Sequence, residues 1–261
     1  GEYAWGRTDN AEWDRIVQAW GHTRLSGLHW LLATSPLQVE DERRRPEDEV
    51  MGATDDALRH AAGCADDVEF SCEDASRSDP DFMVEVCKVA IAAVARTLNI
   101  PDTVGYAMPE EFAARIAYLK DRIPDDVVIS VHCHNDLGMA VANTLAAFRA
   151  GARQAEVTVG GIGERAGNAS LEELAMCLTV RRPYFGYEHG INTEQIYPTV
   201  RTLSRIIGQP IALNKPIVGA NAFAHESGIH QAGVLANPET YEIMTPESGG
   251  ITSNSLVLGK H

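Results

Sequence analysis

His132 and His134 stand two residues apart at the end of the β-branched run Val127 to Val131. In a strand, positions i and i+2 point to one face, so the two imidazoles can share one divalent ion. Cys133, between them, points the other way and reads as a small core residue. Asn168 ends the loop of the following strand-to-helix unit, and its carboxamide strengthens the case for a metal site. That loop carries Gly160, Gly161, Gly163 and Gly167, which let backbone approach a ligand closely, and the helix starting near Ser170 favours an anion.

The elements that must position these groups follow from hydrophobic periodicity. Strands are expected at Gly27 to Ala33, Val68 to Cys72, Thr97 to Ile100, Val127 to Val131 and Gln154 to Val159. Helices are expected at Pro46 to Cys64, Asp79 to Ala95, Pro109 to Ile123, from Leu137 to Ala150 behind an Asn135 or Asp136 cap, and from Ser170. A further short helix is expected from Asp9 to Trp20, in a stretch that holds three of the four tryptophans. Strand and helix thus alternate five times, the pattern of parallel βα units. Polar groups collect at the carboxyl ends, namely Thr34, Glu73, Thr103, the histidine pair and the Gly160 loop. An α/β barrel builds its active site there. The expected fold class is α/β, a TIM (β/α)8-type barrel with five of its eight strands visible. Residues 1–182 form this partial barrel, and 183–261 form a linker helix and the start of a small, mainly helical subdomain.

The 261 residues carry a formal net charge of −15 and no basic cluster longer than Arg43 to Arg45, which argues against a nucleic-acid partner. Five cysteines without a C-x-x-C pair point to free thiols in a reducing, cytoplasmic compartment. No apolar run reaches the roughly 18 residues that a membrane span needs.

Five stretches together resemble the α-isopropylmalate synthase group, within the family that also holds homocitrate and citramalate synthases and hydroxymethylglutaryl-CoA lyases. They are VEFSCEDASRSD (68–79), NIPDTVGY (99–106), VHCHNDLG (131–138), GGIGERAGNASLEE (160–173) and AFAHESGIHQAGVL (222–235), followed by TYEIMTPES (240–248). The resemblance implies a barrel followed by a subdomain that crosses to the partner in a homodimer. It also implies a Claisen-type condensation of acetyl-CoA, the co-substrate, with a 2-oxo acid, 2-oxoisovalerate for this group. His132, His134 and Asn168 would then hold a divalent ion, Mg²⁺ or Mn²⁺, with Zn²⁺ also tolerated by the imidazoles. Thr103 would hold the substrate carboxylate, Glu73 would sit over the acetyl group, and His29 and Ser71 would line the substrate pocket. Helix capping remains the other reading of Glu73 and Thr103. His230 and Tyr241 match an acid and base pair that serves the neighbouring subunit.

Two departures stand beside the resemblance, with one feature that sorts within the larger family. The group's R-D-G-x-Q strand is missing from the sequence, so three strands are expected to be lacking and this chain alone is not expected to catalyse the reaction. Ala232 replaces the usual Asp after GIHQ. Residues 160–168 contain no cysteine, which disfavours the lyase chemistry. Homocitrate or citramalate synthesis, or a fragment without catalysis, are the alternatives.

Overall fold

The computed structural model describes residues 3–6, 27–37, 47–63, 65, 67–225 and 227–252. The helix expected over 9–20 lies outside the described residues. Contacts divide the chain into two compact units, residues 1–156 with 164–168 and residues 157–163 with 169–261.

The first unit is a parallel sheet of six strands in sequence order. They are β1 (Tyr3–Gly6), β2 (Gly27–Ala33), β3 (Val68–Glu73), β4 (Thr97–Asp102), β5 (Val128–Cys133) and β6 (Gln154–Glu156). The sixth strand, β1, was not expected; it pairs in parallel with β2 from Tyr3 opposite Gly27. Between the others run α1 (Glu47–Ala62), α2 (Pro80–Ala93), α3 (Pro109–Lys120) and α4 (Ala140–Ala150). Their starts follow from local chemistry. The Asp79 carboxylate accepts from the Asp81 and Phe82 amides, with Pro80 in the first turn. Glu111 reaches back to the Met108 amide ahead of Pro109. Helix α4 begins at Ala140, later than the Leu137 expected, and the Asn135 carboxamide accepts from the Ala140 amide. Leu137 is consequently left exposed in the preceding turn.

Strand pairing sorts the side chains by period two. One face carries Leu28, Trp30, Leu32, Phe70, Cys72, Leu98, Ile100, Ile129, Val131 and Cys133, all nearly inaccessible to solvent. Phe112, Ile116 and Leu119 of α3 are equally buried, one helical turn apart. The opposite face is polar, for His29 aligns with Glu69, Ser71 with Asn99, Asn99 with Ser130, and His132 with Glu156, and all of these but His132 and Glu156, which are half-buried, are buried. A sheet apolar on one face and polar but largely buried on the other is the wall of a (β/α)8-type barrel, whose lumen is filled by side chains.

In the second unit, α5 (Leu171–Val180), α6 (Arg182–Phe185), α7 (Ile196–Ile207) and α8 (Gly228–Ala236) alternate with short 3-10 turns. Ala175 and Met176 of α5 pack with Ile196 and Val200 of α7 and with Val218. Pro198 does not interrupt α7, because it falls in the first turn, where its missing N–H has no intrahelical partner to lose.

Candidate active site

At the carboxyl ends of β2 to β6, a cavity of about 90 Å³ is lined by Leu31, Ser71, Glu73, Asn99, Pro101, Thr103, His132, His134 and Glu156. The first unit therefore brings Ser71, Glu73, Thr103, His132 and His134 together around one space. His29 lies beside it, fully buried, with Nε2 2.7 Å from the Ser71 hydroxyl.

The histidine pair converges. His132 Nε2 and His134 Nε2 are 3.2 Å apart, which is close to the spacing of two nitrogens about 2.1 Å from a shared ion and at right angles around it. Burial, reinforced by His132 and Arg165, lowers the pKa of His134 and favours the neutral, ligand-competent imidazole. Asn168 is brought against His134 by an isolated antiparallel bridge, and the Asn135 amide donates to the Gly167 carbonyl. The Asn168 Oδ1 and His134 Nδ1 atoms are buried without a hydrogen-bond partner.

Glu156 is the residue that sequence reasoning missed. Its Oε2 lies 2.5 Å from His132 Nδ1, and its Oε1 lies 3.2 Å from His29 Nδ1. Burial opposes its charge, but the bonds from His132 and His29 outweigh burial and hold its carboxyl down at about 2. Asn99 Nδ2 donates to Ser71 Oγ at 2.7 Å and to Glu156 Oε2 at 3.3 Å. Deeper in the sheet, Gln154 donates to both oxygens of Glu69, whose pKa is raised by burial. His29, Glu69 and Glu156 also offer ligand atoms within 4.8 Å of one another. Because both His29 nitrogens and both Glu156 oxygens already hold protein partners, we read this trio as a hydrogen-bonded layer.

The rim is tied together by its own loops. The Asp74 amide donates to the Thr103 hydroxyl at 2.9 Å, and the buried Asp74 carboxylate accepts a paired contact from Arg77. Arg165 grips both Asp136 oxygens and the Thr103 carbonyl. Those bonds lower the pKa of Asp136.

The remaining two expected site residues belong to the second unit. His230 and Tyr241 stack with ring centroids 4.1 Å apart, and His225 beside them pairs with Glu242. In the glycine-rich loop, expected to bring backbone close to a ligand, the Gly160 amide donates to the buried Glu172 carboxylate at 3.0 Å. Lys215 joins Glu172, Glu173 and Ser170, so this loop carries its anion within the protein.

Parallel βα units with a buried polar face, opening on a cleft at the strand ends, define an α/β barrel protein. Residues 3–203 match the HMGL-like family model, and the chain belongs to that family. Residues 217–261 match the homocitrate synthase post-HMGL domain-like model. The chain is 59% identical over 251 residues to the 2-isopropylmalate synthase of Nitratidesulfovibrio vulgaris, covering 94% of this chain and 49% of that protein. It is 49% identical to 2-isopropylmalate synthase 1 of Caldanaerobacter subterraneus, covering 98% of this chain and 65% of that protein. The chain thus spans about half to two thirds of these relatives' lengths. Its fold is similar to a hydroxymethylglutaryl-CoA lyase from Pseudomonas aeruginosa, with a TM-score of 0.68 at 15% identity over 81% of this chain and 72% of that one. It is also similar to an HMG-CoA lyase from Acenitobacter baumannii, with a TM-score of 0.66 at 18% identity over 79% and 69% of the two chains.

Proposed function

We propose that the chain carries the central part of the active site of a 2-isopropylmalate synthase, which condenses acetyl-CoA with 2-oxoisovalerate. The observation that carries this reading is the convergence of His132 and His134 on one point of a cavity that Ser71, Glu73 and Thr103 also line, in a chain so similar to proteins of that name.

A divalent ion fits the residues present. The two ring nitrogens meet at ligand spacing, and the buried Asn168 Oδ1 lacks a partner. His132, His134 and Asn168 would hold the ion, Mg²⁺ or Mn²⁺ by the oxygen donors that a substrate and water add, with Zn²⁺ accommodated by the imidazoles. When bound, it supplies Lewis-acid polarisation of the 2-oxo group.

The protein's own groups do the rest. The Thr103 hydroxyl, whose oxygen already accepts from the Asp74 amide, keeps its proton to donate to the substrate carboxylate. Ser71 and His29 shape the side-chain end of the pocket, and Glu73 faces the acetyl group at the rim. His230 and Tyr241 act as the acid and base pair in enolisation of acetyl-CoA, each pair serving the other subunit of a homodimer. Residues 1–182 form the barrel part and 183–261 begin the subdomain. A cytoplasmic location accords with the four described cysteines, all free thiols. Among the described residues no helix is long and apolar enough to cross a membrane.

Calorimetric titration with Mn²⁺ tests the centre. Binding is expected in the unaltered chain and is expected to be lost in His132→Ala and in His134→Ala. Unchanged affinity after either substitution would sink the ligand assignment. Addition of 2-oxoisovalerate, 2-oxoglutarate and pyruvate in turn to the Mn²⁺-loaded chain separates the synthase types, and tighter binding of either of the latter two would overturn the choice of substrate.

A further inference from the structure

We propose that Glu156 is a positioning residue that fixes the tautomers of His132 and His29 together, so that both rings turn a bare Nε2 toward their partners at the site. This rests on the ligand reading of His132 only for its consequence, not for its argument.

The hydrogen-bond directions follow from what each group can give. Asn99 faces a Glu156 oxygen, so the atom it presents there is its amino nitrogen. The same nitrogen lies 2.7 Å from Ser71 Oγ, which must accept that bond and donate its one proton elsewhere. His29 Nε2 stands 2.7 Å away, and because Glu156 Oε1 on the far side draws the ring's one proton to Nδ1, Nε2 is left to accept from Ser71 and the His29 proton stays on Nδ1. That proton points at Glu156 Oε1, an acceptor with no proton of its own to give. The other oxygen meets His132 Nδ1 at 2.5 Å and places that ring's proton on Nδ1 as well. His132 Nε2 is then a lone pair aimed at His134 Nε2. A carboxylate behind a ligating imidazole orients the ring and raises its basicity. Here a single carboxylate does so for two rings, one at the metal-type pair and one at the pocket floor.

A glutamine at 156 is nearly isosteric but has one acceptor oxygen and one amino group. The Asn99 amino group also faces the oxygen on the His132 side, and the single glutamine oxygen can serve only one of the two rings, so the other ring must face the amino group. That ring must then carry its proton on Nε2 and lose its free lone pair.

The test is the imidazole nitrogen NMR spectrum of the metal-free 261-residue chain, unaltered and as E156Q and E156D, with Mn²⁺ affinity measured alongside. In the unaltered chain both His29 and His132 are expected as Nδ1–H tautomers. In E156Q, one of the two rings is expected to switch to Nε2–H, and where that ring is His132 the Mn²⁺ affinity is expected to fall about 10- to 100-fold. E156D, which keeps an acceptor-only carboxylate, should retain the Nδ1–H form of His132. An Nε2–H tautomer of either ring in the unaltered chain, or two rings that both stay Nδ1–H in a folded E156Q, would overturn the proposal. If E156Q does not fold, the spectrum of the unaltered chain decides. Tautomers as stated in an unaltered chain that takes up no Mn²⁺ would uphold the role of Glu156 and overturn the ligand reading instead.

Discussion

Gly105→Ala should damage both the fold and the histidine pair, and the size of the effect follows from two separable terms. Gly105 has φ +64°, where an L side chain costs roughly 1–2 kcal/mol. A Cβ there would also lie 2.6 Å from Asp136 Oδ2, 2.7 Å from the Asp136 nitrogen and 2.9 Å from the His134 carbonyl oxygen. Two of those three atoms are backbone, so no rotamer change relieves the crowding, and overpacking of this kind costs about 1–3 kcal/mol. The sum is a loss of about 2–5 kcal/mol, large against the stability of a typical domain. Gly138→Ala is the matched control, because Gly138 has φ +75° with nothing within 4 Å of the added Cβ. It should lose only the conformational part, roughly 1–2 kcal/mol. Urea denaturation gives both numbers from the shift in midpoint at constant slope. The crowded atoms belong to the residues that carry and follow His134, so Mn²⁺ affinity should also fall, by roughly tenfold or more, in Gly105→Ala and not in Gly138→Ala. Equal destabilisation of the two variants, within about 0.5 kcal/mol, would refute the claim that this close approach sets the position of His134.

Asp102→Ala should cost about 3 kcal/mol or more in the same urea assay, because the fully buried carboxylate accepts from the Tyr106 and Ala107 amides and from Asn143, all of which would be left without it. Phe112→Ala, at a site 1% exposed, should cost about 3–5 kcal/mol, and a change below 1 kcal/mol would show that α3 is not anchored through this ring. Glu69→Gln should become relatively more stabilising as pH rises. Burial raises the Glu69 pKa in the folded chain, so its contribution is fully present below the ordinary carboxylate range and is lost as pH rises through the raised value, a loss glutamine does not suffer. Melting temperatures of the two proteins at pH 4 and pH 8 check the sign, and a gap that narrows toward pH 8 would contradict it.

What the sequence disclosed, and what it hid, divide along local and nonlocal lines. The β-branched run before His132 and the period-two spacing of the pair are local, and the structure has β5 there with both rings at one cavity. Strand β1 was missed because the four residues of Tyr3–Gly6 are too few to show alternation; only pairing with β2 defines them as a strand. Strand β6 ends at Glu156 and not Val159, since the polypeptide turns into a 3-10 segment around Gly160 at φ +72°. Glu156 was invisible for a similar reason. A charged residue alternating with alanine and valine reads as a solvated strand face, and only the register that sets it opposite His132 places it on the polar inner face of the sheet. The partner of the Gly160 amide was hidden because its acceptor, Glu172, lies twelve residues on and is buried by contacts that no local pattern encodes.

The rim of the cavity shows why such contacts matter for chemistry. Asp74 directly follows Glu73 and sits at φ 62°, and Arg165 sits at φ 55°; these are two of the three non-glycine residues in that region among the described residues. Strain of this kind is of order 1–3 kcal/mol and persists only where surroundings over-determine the backbone. Both surroundings converge on Thr103. The Asp74 amide occupies a lone pair of the Thr103 hydroxyl, while the Arg165 guanidinium holds the Thr103 carbonyl and the Asp136 carboxylate at once. Three strand-end loops and the 164–168 segment are therefore pinned through one threonine. Its hydroxyl has little freedom left to lose when an anion arrives, and a group ordered in advance spares the binding step about 0.5–1.5 kcal/mol per side chain. The strained residues need not touch a ligand to matter. They keep Glu73 and Thr103 fixed relative to each other, and that fixed spacing is what the proposed condensation, between two separately bound substrates, would require of the side chains proposed to receive them.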